Sequence, residues 1–526
     1  MERPLRATLS RLAHRPAGSS CALAGAGIVW TGLTDLAHVG RLGPRAFKPW
    51  LLAAVCTVLA APASAAASTP PRVDVIPQAD GSQLVQYTAA PGQDNAVTLR
   101  IRAEALDPYK RAAGIRNDTG VDFYDDGADA ATFTSPLCSG QGTGMGCDIP
   151  GHRVQVKLVL GDGNDIVTPE FDPSRALPTT IDGGPGNDAL RVRGTVPSSI
   201  DFIGGPGVDF VDYFAPSNLP YAFSDDGQPN DGLGGDNIGG DVELYIGGDG
   251  NDTFRFFGTA RHVVFGGAGS DTMYSGPGPE LFDGGYGGDP AGTDPQSNDT
   301  VSYAGRATGV TVTLDGLAND GAPGERDEIL ATVERVIGTD HADTLVGPAT
   351  VPDSRVYTFD SGAGNDVIGG GAGRDAIYAG PGDDTVISLS GGKDYVDCGP
   401  GNDTVVADRA DVVTGCEHRL SSYAVAVGRQ QGNTVKALVA VPSPGSLVQA
   451  TLVAPAGAIP GSKGQPTVGS VSRRLGAGIR PLTIPLNAGG RSALRKRGSL
   501  SLVLRAAVEV PGRGPLRASQ RVTLRR

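Results

Sequence analysis

The sequence predicts an all-β protein: a small β entry domain, a long parallel solenoid of glycine and aspartate repeats, and a basic β domain at the end. Three observations predict it. The stretch from Ser361 to Ile387 aligns with itself every nine residues and holds Asp366, Asp375 and Asp384 at that pitch. Two residues after each of Asp165, Asp188, Asp209, Asp252, Asp271, Asp299, Asp343, Asp366, Asp375, Asp384, Asp394, Asp403 and Asp411 stands an apolar side chain, from Val167 to Val413. Flexible glycine linkers have no reason to keep that register. Composition supplies the third: 79 glycines, 39 prolines and 6% aromatics in 526 residues leave little for one large core, so the core is thin and repetitive.

Residues 1–65 read as an N-terminal extension and signal peptide. Arg45 and Lys48 precede the apolar run LLAAVCTVLAA, and Ala63, Ser64 and Ala65 form a signal-peptidase pattern, which predicts cleavage after Ala65. The run is about half of the roughly 20 residues that a spanning helix needs, so no stable membrane span is expected. Export predicts a secreted or cell-surface protein. Cleavage removes Cys21 and Cys56 and leaves two close pairs, which favours disulfides Cys138 to Cys147 and Cys398 to Cys416. A zinc site would want tighter CxxC or histidine spacing.

Residues 66–153 carry RVDVI, SQLVQY and NAVTLRIR, alternating segments between turn-rich stretches, and read as a β entry or cap domain. Residues 154–418 hold the repeats. Early copies such as GDGNDIV and GGPGNDAL are spaced by about one coil, and the best lie in 361–406. Six residues make a turn whose glycines accept positive φ, three make a short strand with its central residue pointing inward, and two such units close one coil. Stacked turns bring aspartates from neighbouring coils into a row on each edge. A row of carboxylates repels itself unless a cation is shared.

The motif GGxGxDxUx, with U large and apolar, resembles the hemolysin-type, or RTX, calcium-binding repeats, and the resemblance covers roughly half of the chain. It implies a β-roll and Ca2+ as cofactor, a hard ion satisfied by six to eight oxygens. It further implies that Asp366, Asp375, Asp384 and Asp403 are ligands, with Asp394 beside them and the carbonyls of Gly362, Gly364, Gly371, Gly373, Gly380 and Gly382 completing the shell. Asp165, Asp188, Asp209, Asp252, Asp271 and Asp289 form a second set. DTVSYAGRATGVTVTLDG, followed by VERVIGTDHADTLVG, is similar to the insert that often interrupts such arrays, here at about 304–340.

Residues 419–526 carry VKALVAVP, LVQATLV and SLSLVLRAAVEV as strands, and GGRSALRKRG as a short helix closed by Gly498. The segment is similar to an immunoglobulin-like β-sandwich appended to exported repeat proteins. Net charge is −13 overall but divides as +5 over 1–65, −34 over 66–418 and +16 over 419–526. The acidic middle repels nucleic acid and invites cations. The basic end offers a surface for anionic cell-wall or surface polymer, or for an acidic solenoid. No HExxH or GxSxG motif is present. These features predict a secreted calcium-binding structural or adhesive protein rather than an enzyme. An exported hydrolase or carbohydrate-binding protein that uses the repeats as a calcium-dependent folding aid is the alternative.

Overall fold

The computed structural model describes residues 70–526 apart from 103–117, 126–131, 172–176, 194–198, 214–218, 286–297, 510–514 and several stretches of one to four residues. The signal-peptide expectation and Asp289 lie outside the described residues. Strands dominate the chain, and the one α-helix among the described residues is Ala488–Arg497. The chain divides into two compact units, Met1–Asp299 and Thr300–Arg526.

The first unit begins antiparallel. Arg72–Pro77 pairs with Gln83–Thr88, and Ala96–Arg102 pairs with Asp118–Asp125. The expected disulfide Cys138–Cys147 joins Cys138–Gln141 to its neighbour Gly144–Pro150, where the two cysteines face each other in register. The entry strands then become the floor of the coils. Gln83–Thr88 pairs in parallel with Val154–Val159, and Ala96–Arg102 with Ile166–Phe171. Above them the stack continues in parallel, through Thr179–Asp182 and Ile200–Ile203 on one side and Ala189–Arg191, Phe210–Asp212, Leu244–Ile246 and His262–Gly267 on another.

The second unit repeats this logic with shorter coils. Arg335–Thr339, Val356–Gly362, Arg374–Tyr378, Tyr395–Asp397 and Val412–Thr414 form one parallel stack. Thr344–Val346, Val367–Gly369, Thr385–Ser388, Thr404–Ala407 and His418–Leu420 form the other. The apolar register predicts the core: Val167, Leu190, Val211, Phe254, Met273, Leu345, Ile368, Ile377, Val386, Val396 and Val405 are all fully buried. Short strands send one such side chain inward and longer ones two, as Tyr357 and Phe359 in Val356–Gly362, so the core is thin.

One hairpin occurs twice. DGQPNDG at 226–232 and DGLANDG at 315–321 share the spacing DGxxNDG. In the first, Asp231 accepts the N–H groups of Ser224 (2.6 Å) and Ile238 (2.7 Å), and the Tyr213 hydroxyl donates to Asp236 (2.7 Å). In the second, Asp320 accepts from Thr313 (2.6 Å) and Ile329 (2.9 Å), and Tyr303 donates to Asp327 (2.8 Å). The insert expected near 304–340 is thus a carboxylate-locked hairpin with an earlier twin.

The terminal sandwich packs a three-stranded sheet (Ala424–Ala426, Thr434–Val441, Gly478–Pro485) on a four-stranded one (Thr467–Leu475, Ser446–Val453, Ser499–Glu509, Leu516–Arg525). Its core is conventional, with Val439, Val448, Leu452, Ile484, Leu502, Leu504 and Leu524 in one cluster. The helix is capped by the Asn487 side chain, which accepts from the Gly490 N–H, and ends at Gly498 with φ 70°, in the left-handed region that favours glycine. Within this unit the sandwich sits on the coils through an apolar seam, where Ala440 meets Ile387 and Val406.

Candidate metal centre

The repeat turns place the aspartates by hydrogen bonds between coils. On one edge of the second unit, Asp343 N–H donates to Asp366 Oδ1 (2.8 Å), Asp366 N–H to Asp384 Oδ1 (2.8 Å) and Asp384 N–H to Asp403 Oδ1 (2.7 Å). On the opposite edge Asp375 N–H donates to Asp394 Oδ1 (3.0 Å), and Asp394 N–H to Asp411 Oδ1 (3.2 Å). Asp375 and Asp384, neighbours in the nine-residue repeat, therefore belong to different rows. Asp394 joins its row although GGKD is one residue short of the motif.

The first unit has the same rows. Asp165 N–H donates to Asp188 Oδ1 (2.9 Å) and Asp188 N–H to Asp209 Oδ1 (2.7 Å), while Asp252 N–H donates to Asp271 (2.8 Å) and Asp271 N–H to Asp299 (2.8 Å). A second ladder runs beside the first in the reverse sense. Asn164 accepts from Asn187 N–H (2.9 Å), Asn365 from Asp383 N–H (2.9 Å), and Asp383 from Asn402 N–H (3.0 Å).

These bonds use one carboxylate oxygen and leave the other. Oδ2 of Asp165, Asp188, Asp209, Asp366, Asp384 and Asp403 is buried with no hydrogen-bond partner. Burial, with neighbouring carboxylates in support, pushes Asp188 up to about 8 and Asp384 up to about 7; burial also pushes Asp366 up to about 6. A buried, unpaired carboxylate oxygen is costly, and a row of them calls for positive charge.

The glycines supply oxygens to the same turns. Gly362, Gly364, Gly371, Gly373, Gly380 and Gly382 all have positive φ. At Gly382, φ +149°, an added Cβ would overlap the Gly364 carbonyl oxygen, and at Gly401 it would overlap that of Gly382. Turn carbonyls therefore aim along the stack at the next turn, an approach that only glycine allows. Among the described residues no three His, Cys, Asp or Glu side chains gather as a metal cluster. An ion here would take one or two carboxylates and complete its shell with carbonyls, a donor set that suits a hard ion such as calcium and not zinc.

Sequence reasoning missed several members of the rows. Asp299, Asp343 and Asp411 keep the apolar register but were not singled out as site residues. Glu243 accepts Asp209 N–H (2.8 Å) and Glu417 accepts Asp403 N–H (2.7 Å), so glutamates stand where an aspartate would. The signal for Glu243 was available, since Tyr245 keeps the apolar position two residues on. His262 follows Glu243 in the stack: it is buried, held neutral with its pKa lowered to about 4 by burial, and stacked on Phe256 at 4.0 Å. Below the first coil, Asn95 donates its N–H to Asp165 (2.6 Å) and Asp94 accepts the Asn164 N–H (2.7 Å), so the entry segment stands in for a repeat.

A parallel β-roll whose turns stack buried aspartates against glycine carbonyls defines a calcium-binding repeat protein. The comparison with protein families agrees: the chain carries the RTX calcium-binding nonapeptide repeat in four copies, matched over residues 263–289 and 358–386. A comparison of the chain with curated proteins finds no match.

Proposed function

We propose that this is a secreted structural or adhesive protein whose β-roll becomes ordered on meeting extracellular calcium. The single observation that supports it most is the row of buried Oδ2 atoms without hydrogen-bond partners, at Asp366, Asp384 and Asp403 on one edge and at Asp165, Asp188 and Asp209 in the first unit. Asp366, Asp384 and Asp403 hold one edge and Asp375 and Asp394 the other, while the carbonyls of Gly362, Gly364, Gly380 and Gly382 face the same turns. Bound calcium supplies the positive charge that these rows lack. In the ordered coils each Oδ1 keeps its neighbour's N–H satisfied, so the chain's own part is to fix the register of the turns around the ion.

The signal-peptide pattern that ends at Ala65 favours the reading, because extracellular modules bind calcium with Kd of about 0.1 to 1 mM and stay unloaded at cytosolic levels. Catalysis is not part of it, in keeping with the lack of a hydrolase motif in the sequence. The test is circular dichroism of the mature chain. It should gain β signal as calcium rises to a few millimolar, and magnesium, which demands octahedral geometry, should do much less. The same spectrum in excess chelator as in calcium would sink the reading.

A further inference from the structure

The four-stranded sheet of the sandwich has one face in the core and one in solvent. Along Leu516–Arg525, Val522 and Leu524 are buried while Arg517, Arg521 and Arg525 are exposed. On the adjoining strand Arg505 is exposed, opposite Thr451 of the next strand, and Arg474 is exposed on the far strand. Ser499, Ser501, Ser470, Ser472 and Thr523 lie between them on the same exposed side. One acid stands on this face, Glu509, which accepts a hydrogen bond from Gln449 (3.3 Å). Among the described residues none of the five arginines has a carboxylate within salt-bridge distance.

We propose that this face is a docking surface for an anionic polysaccharide, carboxylated or sulfated. It deepens the adhesive reading above and rests on it for the extracellular setting. Arg517, Arg521 and Arg525 are spaced every fourth residue, about 13 Å apart along the strand, and present planar guanidinium forks that bind carboxylate or sulfate through paired hydrogen bonds. The hydroxyls between them match the hydroxyls of a sugar chain. Charged residues also guard edge strands against pairing, but Arg505 lies on an interior strand that needs no guard. A membrane is the poorer partner, because no large apolar residue after Val412 is exposed among the described residues. Nucleic acid is poorer too, because the face carries no aromatic ring for base stacking.

The experiment uses the mature chain in millimolar calcium with five probes: hyaluronate, dextran sulfate, neutral dextran, duplex DNA and phosphatidylglycerol vesicles. Hyaluronate or dextran sulfate should bind and neutral dextran should not, and which of the two binds tighter separates carboxylate from sulfate. R517Q/R521Q/R525Q should weaken binding by about tenfold or more and flatten its salt dependence, with calcium-dependent β signal unchanged. R495Q/K496Q, on the helix, should change it by less than about twofold. No binding at low salt, equal loss in the two variants, or tighter binding to DNA or vesicles overturns the proposal. So does self-association of the chain that the triple variant abolishes, which makes an acidic β-roll of a second copy the occupant. The calcium reading fails separately, through the β signal of the same samples.

Discussion

The β-roll coils and the terminal sandwich of the second unit are both built of strands, yet different forces hold them. The sandwich closes a two-sided core in which Leu502, Leu504 and Leu524 sit in one cluster with Val448 and Ile484, and each such side chain contributes about 1.5–3 kcal/mol by burial. A coil strand sends only one or two apolar residues inward, Ile377 or Val386 for example, and spends glycines that lose more conformational entropy on ordering than any other residue. What the coil adds is a pair of side-chain ladders and a row of buried charge. Short parallel strands stack stably when turn chemistry replaces the missing core depth, and here that chemistry is incomplete without a cation.

The comparison breaks or sharpens under substitution. The largest expected effect is in the sandwich: Leu504→Ala should cost about 2–5 kcal/mol, measured by urea unfolding. The cost should be equal in calcium and in chelator. A loss that appears only with calcium would mean that the two regions unfold as one.

Next comes the staple of the final coils, Cys398–Cys416, which closes a sequence separation of 18. Replacing both cysteines by alanine should cost the coils about 3 kcal/mol under the loop-entropy model, read as a higher calcium midpoint in circular dichroism, with the sandwich transition unmoved. An unchanged midpoint would remove the staple from the account.

Asp384 separates the two jobs of a ladder carboxylate. Asp384→Ala leaves the buried Asp366 N–H of the ordered coil without its acceptor as well as removing the charge, so it should raise the calcium midpoint by about 1–3 kcal/mol more than loss of the charge alone. Asp384→Asn keeps that acceptor and loses the charge, so it should raise the calcium midpoint and change the chelator state little. Equal effects of the two variants would show that the Oδ1 acceptor plays no part, and an unchanged midpoint in Asp384→Asn would show that the charge plays none.

Acidity acts through the same groups. Asp188 and Asp384 are pushed up to about 8 and about 7 from the ordinary 3.8, mainly by burial. Without metal, the folded rows hold protons that the unfolded chain has already released. That contribution is full below about pH 4 and is lost as pH rises through about 7 to 8. With the coils disordered in chelator, their aspartates titrate near the ordinary 3.8 before calcium binds, so the calcium midpoint should change little between about pH 5.5 and 8 and few protons should be released. A midpoint that falls steeply over that range, with protons released in titration calorimetry, would show that the rows are already folded before calcium binds. The smallest effect is Asn487→Ala, about 1 kcal/mol from the lost helix cap, confined to the sandwich in thermal unfolding.

Much of this was legible because periodic demands leave periodic residues. The inward column from Val167 to Val405 and the positive-φ glycines of 362–382 follow from the nine-residue motif, and Gly498 ends the helix where a glycine cap predicts it. The two DGxxNDG hairpins were not read as twins, since their locks depend on Tyr213 and Tyr303, which lie outside the motif. Glu243 and Glu417 escaped notice because the ladder asks for an acceptor at a position rather than for aspartate. The assignment of Asp375 and Asp384 to opposite edges needs the coil length, which a pitch of nine states only once two half-coils are known to close a turn. The seam at Ala440 is invisible in sequence, as its contacts at Ile387 and Val406 look like ordinary strand residues.

The central claim is that a cation orders the coils while the sandwich stands without one. Hydrogen exchange of the chain, read by mass spectrometry over 343–417 and over 434–508 with and without calcium, tests it most directly. The account predicts that the amides of Asp366, Asp384 and Asp403 exchange rapidly in chelator and become protected in millimolar calcium, while protection of the sandwich strands stays the same. Equal protection of the coil amides in both conditions would contradict it.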